Sequence, residues 1–108
     1  MIKIKKREDY IKYLHLEYAD TGDPADLTGC TVYSQMRDVP GGTLLATAVC
    51  TMEAETGDIH VKYSGSDTED LPLGEAGYDI WIVENGLKHP IYTTRVTIID
   101  AYTEDFGE

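Results

Sequence analysis

Cysteine is scarce in this chain: Cys30 and Cys50 are the only two, too few for a disulfide framework. No apolar stretch approaches the length of a membrane span. The first residues, Met1-Ile2-Lys3-Ile4-Lys5-Lys6, are basic without an apolar run behind them, so no secretory signal is expected. Basic residues are also few, 9 against 20 acidic, and Lys3, Lys5, Lys6 and Arg7 account for four of the nine. Residues 8–108 therefore carry five basic and twenty acidic side chains, a net −15 that repels phosphate backbones and argues against nucleic-acid binding.

Catalytic and metal-binding patterns are missing as well. His15, His60 and His89 fall in separate strand-like segments without ligand spacing, so no metal site is expected. Ser64 and Ser66 lack the strand-to-helix elbow of a G-x-S-x-G nucleophile, and no catalytic residue is assigned. The aspartates of residues 20–26 and 67–70 lack EF-hand spacing and read as turn formers. No cofactor and no small-molecule substrate is implied. There is no internal repeat, heptad or long helical period.

What remains is a succession of short alternating segments. At 108 residues the chain is long enough for one hydrophobic core. Its eight tyrosines against one phenylalanine suit half-buried sheet faces and interfaces. Ile2 and Ile4 alternate with lysines as a short edge strand with its charge outward. Alternation recurs over 10–18, 30–37, 44–52 and 59–63, with a loop over 19–29 whose Leu27 tucks back toward the core. Ser66-Asp67-Thr68-Glu69 has capping-box spacing and predicts a single helical turn ending before Pro72.

The segment from Gly77 to Val83 is the most strongly patterned. Tyr78, Ile80 and Ile82 share one face, and Asp79, Trp81 and Val83 the other. Its apolar character predicts a central strand with both faces covered, and Asn85-Gly86 closes it with a hairpin signal. Pro90, lacking an N–H, is expected at a bulge or an edge of the returning strand, 87–99.

About seven short strands predict an all-β antiparallel sandwich over residues 1–99, followed by an acidic tail over 100–108. A helical turn, then glycine, then Tyr78 two residues before an inward Ile80 resembles the tyrosine corner of an immunoglobulin-like sandwich. A small open barrel is the competing architecture. The expected core holds Leu16, Val32, Met36, Val61, Tyr78, Ile80 and Ile82. If Arg37 faces Thr43 across the Asp38–Gly42 turn, Cys30 and Cys50 oppose each other in the core as free thiols.

Three groups are expected to make contacts with other subunits. Tyr33, Trp81 and Val83 share an outward parity on neighbouring strands, with Ile91 or Tyr92 joining them according to the register after Pro90. Lys3, Lys5, Lys6 and Arg7 form a basic arm suited to the acidic body of another copy. Tyr102 and Phe106 lie in the acidic tail, where Phe106 could instead cover Trp81 of its own chain.

The order Ile2-Lys3-Ile4-Lys5, Asp26-Leu27-Thr28-Gly29, Ser34-Gln35-Met36-Arg37-Asp38, Gly41-Gly42-Thr43-Leu44, Asp67 to Leu71-Pro72 and Gly77-Tyr78-Asp79 resembles small immunoglobulin-like virion proteins of tailed phages and prophages. These are similar to the N-terminal domain of phage baseplate upper proteins. The resemblance covers roughly residues 2–99 and rests on turns and strand patterns. Where that family often has a Gly-Asp-Thr turn after its first strand, this chain has Arg7-Glu8-Asp9. The resemblance implies a non-enzymatic part of a phage tail, baseplate or neck, made in the bacterial cytoplasm and located in the virion. Its partners would be other phage structural proteins and copies of itself. A head decoration protein, or a free soluble module for a host protein or glycan, is the alternative.

Overall fold

A computed structural model describes residues 2–101. Eight strands and one helical turn follow in order: β1 Ile2–Lys5, β2 Tyr10–His15, β3 Cys30–Arg37, β4 Leu44–Thr47, β5 Val49–Glu53, β6 Asp58–Tyr63, α1 Gly65–Thr68, β7 Gly74–Glu84 and β8 Leu87–Ile99. They form two sheets, β1-β8-β7-β3-β4 and β2-β6-β5, packed as a sandwich. Every pairing is antiparallel except that of β1 with β8, which is parallel. The strand that begins the chain thus completes an edge of the larger sheet, with Ile4 buried and Lys3 and Lys5 exposed.

The period-two pattern places the core. Ala76, Tyr78, Ile80 and Ile82 of β7 are buried, as are Met36 of β3 and Val96 and Ile98 of β8. From the smaller sheet Ile59, Val61 and Tyr63 face them, all fully buried. Leu27 is buried, whereas Val32 and Leu16 are only partly buried against this cluster. Strand β7 is the middle strand of five, as its apolar character implies.

Tyrosine hydroxyls make the core amphipathic. Ser34 and Tyr63 share a buried hydrogen bond of 2.7 Å, and Tyr10 and Tyr78 share another of 2.7 Å. The rings of Tyr10, Tyr63 and Tyr92 all pack on Tyr78, with centroids 5.6 to 5.9 Å away. Burial, above all, pushes both Tyr63 and Tyr78 well above the ordinary phenol pKa. These hydroxyls therefore stay neutral and need their partners. Ser34→Ala is expected to cost about 1–3 kcal/mol by leaving the Tyr63 hydroxyl unsatisfied. Adding Tyr63→Phe should recover part of that loss in denaturant unfolding, because both polar atoms are then gone.

Several local expectations are corrected. The Tyr78 hydroxyl bonds Tyr10 of β2 and lies five residues into β7, so it makes no tyrosine corner. The helical turn is capped by Ser64, not Ser66. The Ser64 hydroxyl accepts from the Asp67 N–H, and the Asp67 carboxylate accepts from the Ser64 N–H. This turn is tied to the chain before β2, since Gly65 N–H donates to Asp9 and the Thr68 hydroxyl donates to the Glu8 carbonyl. Strand β2 ends at His15, and Tyr18 is exposed.

The segment 44–52 is not one strand of one sheet. Strand β4 pairs with β3, the chain passes Ala48, whose N–H donates to the Ser34 carbonyl, and β5 then pairs with β6. A bulge between Met36 and Arg37 sets Arg37 against Leu44 rather than Thr43. It turns Leu44 outward, while Leu45 packs on the core in its place. Cys30 consequently pairs with Glu84 of β7, and Cys50 with Val61 of β6. Both thiols are free, but they do not oppose each other.

Candidate functional site

The outward parity of β3, β7 and β8 forms a continuous face on the larger sheet, ordered in cross-strand rows. Tyr33, Trp81 and Pro90 make one row. Gln35, Asp79 and Thr93 make the next, and Arg37, Gly77 and Arg95 the one after. Thr31, Val83 and Lys88 continue the face on the far side of Trp81. Among the described residues, strand β7 is thus covered on its inner side alone, not on both faces as its apolar pattern predicts.

Two features of the chain produce this arrangement. The Asn85-Gly86 turn, with φ of 51° and 78°, is the two-residue hairpin with both central residues left-handed, which fixes the register of β7 on β8. A bulge then falls at Ile91, since Trp81 pairs with Pro90 and Ile80 with Tyr92. That extra residue turns Tyr92 inward against Tyr78 and carries Arg95 outward. Neither Ile91 nor Tyr92 extends the outer face, since both pack on the core, and Pro90 takes that place.

Between the rows lies a groove of about 630 Å³, walled on one side by the Asp38–Gly41 turn and lined by Trp81, Asp79, Gly77, Arg37 and Arg95. Gly77 keeps its floor open; a Cβ there would also lie 3.0 Å from the Thr94 carbonyl oxygen. Arg37 is held in place by donating to the Gly42 carbonyl at 2.7 Å and to Gln35 Oε1 at 3.0 Å. Asp38 turns its carboxylate into its own loop, accepting from the N–H groups of Val39 and Thr43. Among the described residues, the Arg95 guanidinium makes no hydrogen bond or ion pair.

The charge of this face is opposite to that of the chain. Its strand positions carry Lys3, Lys5, Arg37, Lys88 and Arg95 against Glu75 and Asp79, whereas the whole chain is −11. The face combines an aromatic row with flanking cations. Such a composition is chemically suited to apolar and acidic groups.

The contact residues expected from sequence are distributed as follows. Tyr33 and Trp81 are direct cross-strand neighbours; Tyr33 is 56% exposed and Trp81 half-buried. Val83 is half-buried beside them. Lys3 and Lys5 stand at the β1 edge of the same face. Lys6 N–H donates to the Ile99 carbonyl. Arg7 adopts a φ of 72°, the left-handed conformation that a glycine accepts most readily, and turns back to the end of β8. Its Nη2 lies 3.3 Å from the Ala101 carbonyl oxygen and 3.8 Å from the Asp100 carboxylate. Tyr102 and Phe106 lie outside the described residues. Arg95, Gln35 and Pro90 complete the face and were not among the contact residues expected from sequence.

The second polar cluster lies on the outer side of the smaller sheet. His15 Nδ1 is 2.8 Å from Asp58 Oδ1, the Thr56 hydroxyl donates to Asp58 Oδ2, and Tyr13 packs edge-on against His60. Among the described residues, no group of three His, Cys, Asp or Glu is arranged to hold a metal ion, and no helix is long and apolar enough to cross a membrane. The Thr56 hydroxyl and then His15 hold the Asp58 carboxyl below its ordinary value of 3.8. A depressed folded-state pKa stabilises the fold above the unfolded value, and that contribution is lost as pH falls through the folded value. Asp58→Asn should therefore lower the melting temperature at pH 5–7, and the gap to wild type should narrow as the pH falls below 3.8 and through the folded-state value.

No protein-family model matches the chain, and no curated protein sequence matches it. Among solved structures, the fold is similar to the N-terminal domain of ORF48 of phage TP901-1, with a TM-score of 0.51 and 11% identity. The likeness covers 91% of this chain and 83% of the other.

Proposed function

We propose that this protein is a non-enzymatic structural component of a tailed-phage particle, acting as a tail, baseplate or neck adaptor. It is held by subunit contacts through the outer face of its five-stranded sheet. The observation that carries this reading is the open Tyr33–Trp81–Pro90 row, central on the larger sheet and flanked by cations in an acidic protein. An aromatic row of this kind, set on rigid strands, suits a repeated contact in which many copies act together. The fold likeness to a domain of a phage protein supports the same setting. Its partners are other phage structural proteins and copies of itself, and its location is the virion.

Purified particles test the assignment. Quantitative mass spectrometry should find the chain at a fixed, small-integer ratio to other structural proteins after density-gradient separation. Recovery only in the lysate's free protein fraction would refute particle membership.

A further inference from the structure

We infer that the outer face of the larger sheet receives the outer face of the smaller sheet of a neighbouring copy, with strand β6 lying along β7. The inference rests on the proposed role of the larger face. The smaller sheet also presents three cross-strand rows. Ile11, Lys62 and Val49 make the first, Tyr13, His60 and Thr51 the second, and His15, Asp58 and Glu53 the third. Ile11, Tyr13 and Val49 are exposed, so one end of this face is apolar while the other carries the carboxylates. Along the central strands the outer residues are Lys62, His60 and Asp58 on β6 and Trp81, Asp79 and Gly77 on β7. Each set of three rows therefore covers about 13 Å, at roughly 3.3 Å per residue.

With β6 running parallel to β7, the rows match in chemistry as well as spacing. Asp58 falls over Gly77, where the missing side chain leaves room between Arg37 and Arg95. His60 falls over Asp79, and Lys62 lies across the Trp81 ring as a cation on an aromatic face. The reversed direction would set Lys62 between the two arginines, so charge selects the parallel one. Strand handedness then assigns the flanks. In the two-residue hairpin Glu84 and Leu87 form a hydrogen-bonded pair, so Trp81, three residues back, turns its Cα–H toward β8. The Leu16 N–H donates to the Gly57 carbonyl, so Asp58 turns its Cα–H toward β2. Seen from outside with the central strand running upward, β8 and β2 are thus on the same hand of their sheets. Placing the faces together reverses one hand, so β5 covers β8 and β2 covers β3. Val49 then meets Pro90, Ile11 meets Tyr33, and Glu53 meets the Arg95 guanidinium. His15, opposite Arg37, brings Asp58 at 2.8 Å and Glu17 at 4.0 Å with it.

Two copies joined through the same larger face would bring its excess of cations together, which disfavours a two-fold contact there. The larger face of one copy on the smaller face of the next is instead a heterologous contact, which repeats into a ring or an open stack. Nine strand residues on the smaller side fall short of the roughly 20–30 a side found in stable free complexes. Each contact is therefore weak alone and holds by recurring in every copy.

Glu53 and Arg95 are both exposed and lie on opposite sheets, so reversing their charges tests the contact with little effect on the monomer. In sedimentation velocity the full-length wild type should pass from monomer to larger species between about 10 μM and 1 mM. Glu53→Lys and Arg95→Glu should each raise the dissociation constant roughly tenfold or more. The double variant, in which every contact again joins opposite charges, should return to within about threefold of wild type. A wild type that stays monomeric throughout the series overturns the inference. So does a double variant whose loss is the product of the two single losses, because residues that never meet act independently. If that coupling is absent while Tyr33→Glu still blocks incorporation into particles, the larger face keeps its role and its occupant is a different structural protein.

Discussion

Ile80→Ala is expected to destabilise the protein by about 2–5 kcal/mol, the range for removing a large aliphatic side chain from a packed core. Ile80 is 0% exposed and stands on the central strand between Ser34 and Tyr92, facing the smaller sheet. Nothing adjacent can collapse easily into the space. Tyr63 and Tyr78 are fixed by ring contacts and by hydroxyl bonds to Ser34 and Tyr10. A domain of this size has about 5–15 kcal/mol of stability in all, so the variant should melt at least roughly 10 °C lower. Chemical denaturation should show a lower midpoint with an unchanged slope. Thr93→Ala, on the outer face of the neighbouring strand, should stay within about 0.5 kcal/mol of wild type. Equal effects at the two positions would show that the sheet is buried on both sides.

The second large effect is on assembly. The exposed parts of Tyr33 and Trp81 amount to roughly 150–200 Å² of mostly apolar surface, worth about 4 kcal/mol when removed from water. That is close to a thousandfold in the affinity of one contact before association costs, and it recurs in every copy. Trp81→Glu removes the ring and places a carboxylate within the contact, so incorporation should fall to background. Because Trp81 is half-buried against its cross-strand neighbours, Tyr33→Glu is the companion variant, with a side chain already 56% exposed. It should impair incorporation with less effect on the monomer.

The sequence carried the faces of this fold more fully than its pairings. Alternation along 77–83 separated Ile80 from Trp81 because a strand's side chains obey a strict period of two. Asn85-Gly86 and Pro90 were legible for equally local reasons, a left-handed turn and a missing N–H. Tyr33 and Trp81 met as expected, since the sandwich order makes β3 and β7 neighbours. The partner of each thiol was not legible. Cys30 and Cys50 share the inward parity, but whether they face each other depends on a bulge at Arg37 and on the passage of the chain at Ala48 to the other sheet. Both are set by packing between distant segments. Arg95 illustrates the same limit: counted from the hairpin alone it would point inward, and only the extra residue at Ile91 brings it beside Gly77. Part of the basic face was therefore hidden in a one-residue shift.

The central claim is that the outer face of the five-stranded sheet is a subunit contact and not an internal seam. The most direct test is the copy number of Trp81→Glu in purified particles, measured against wild type beside the melting temperature of the free protein. The account predicts background incorporation with a melting temperature within about 4 °C of wild type. Wild-type copy number would contradict it, and so would a monomer destabilised by several kcal/mol.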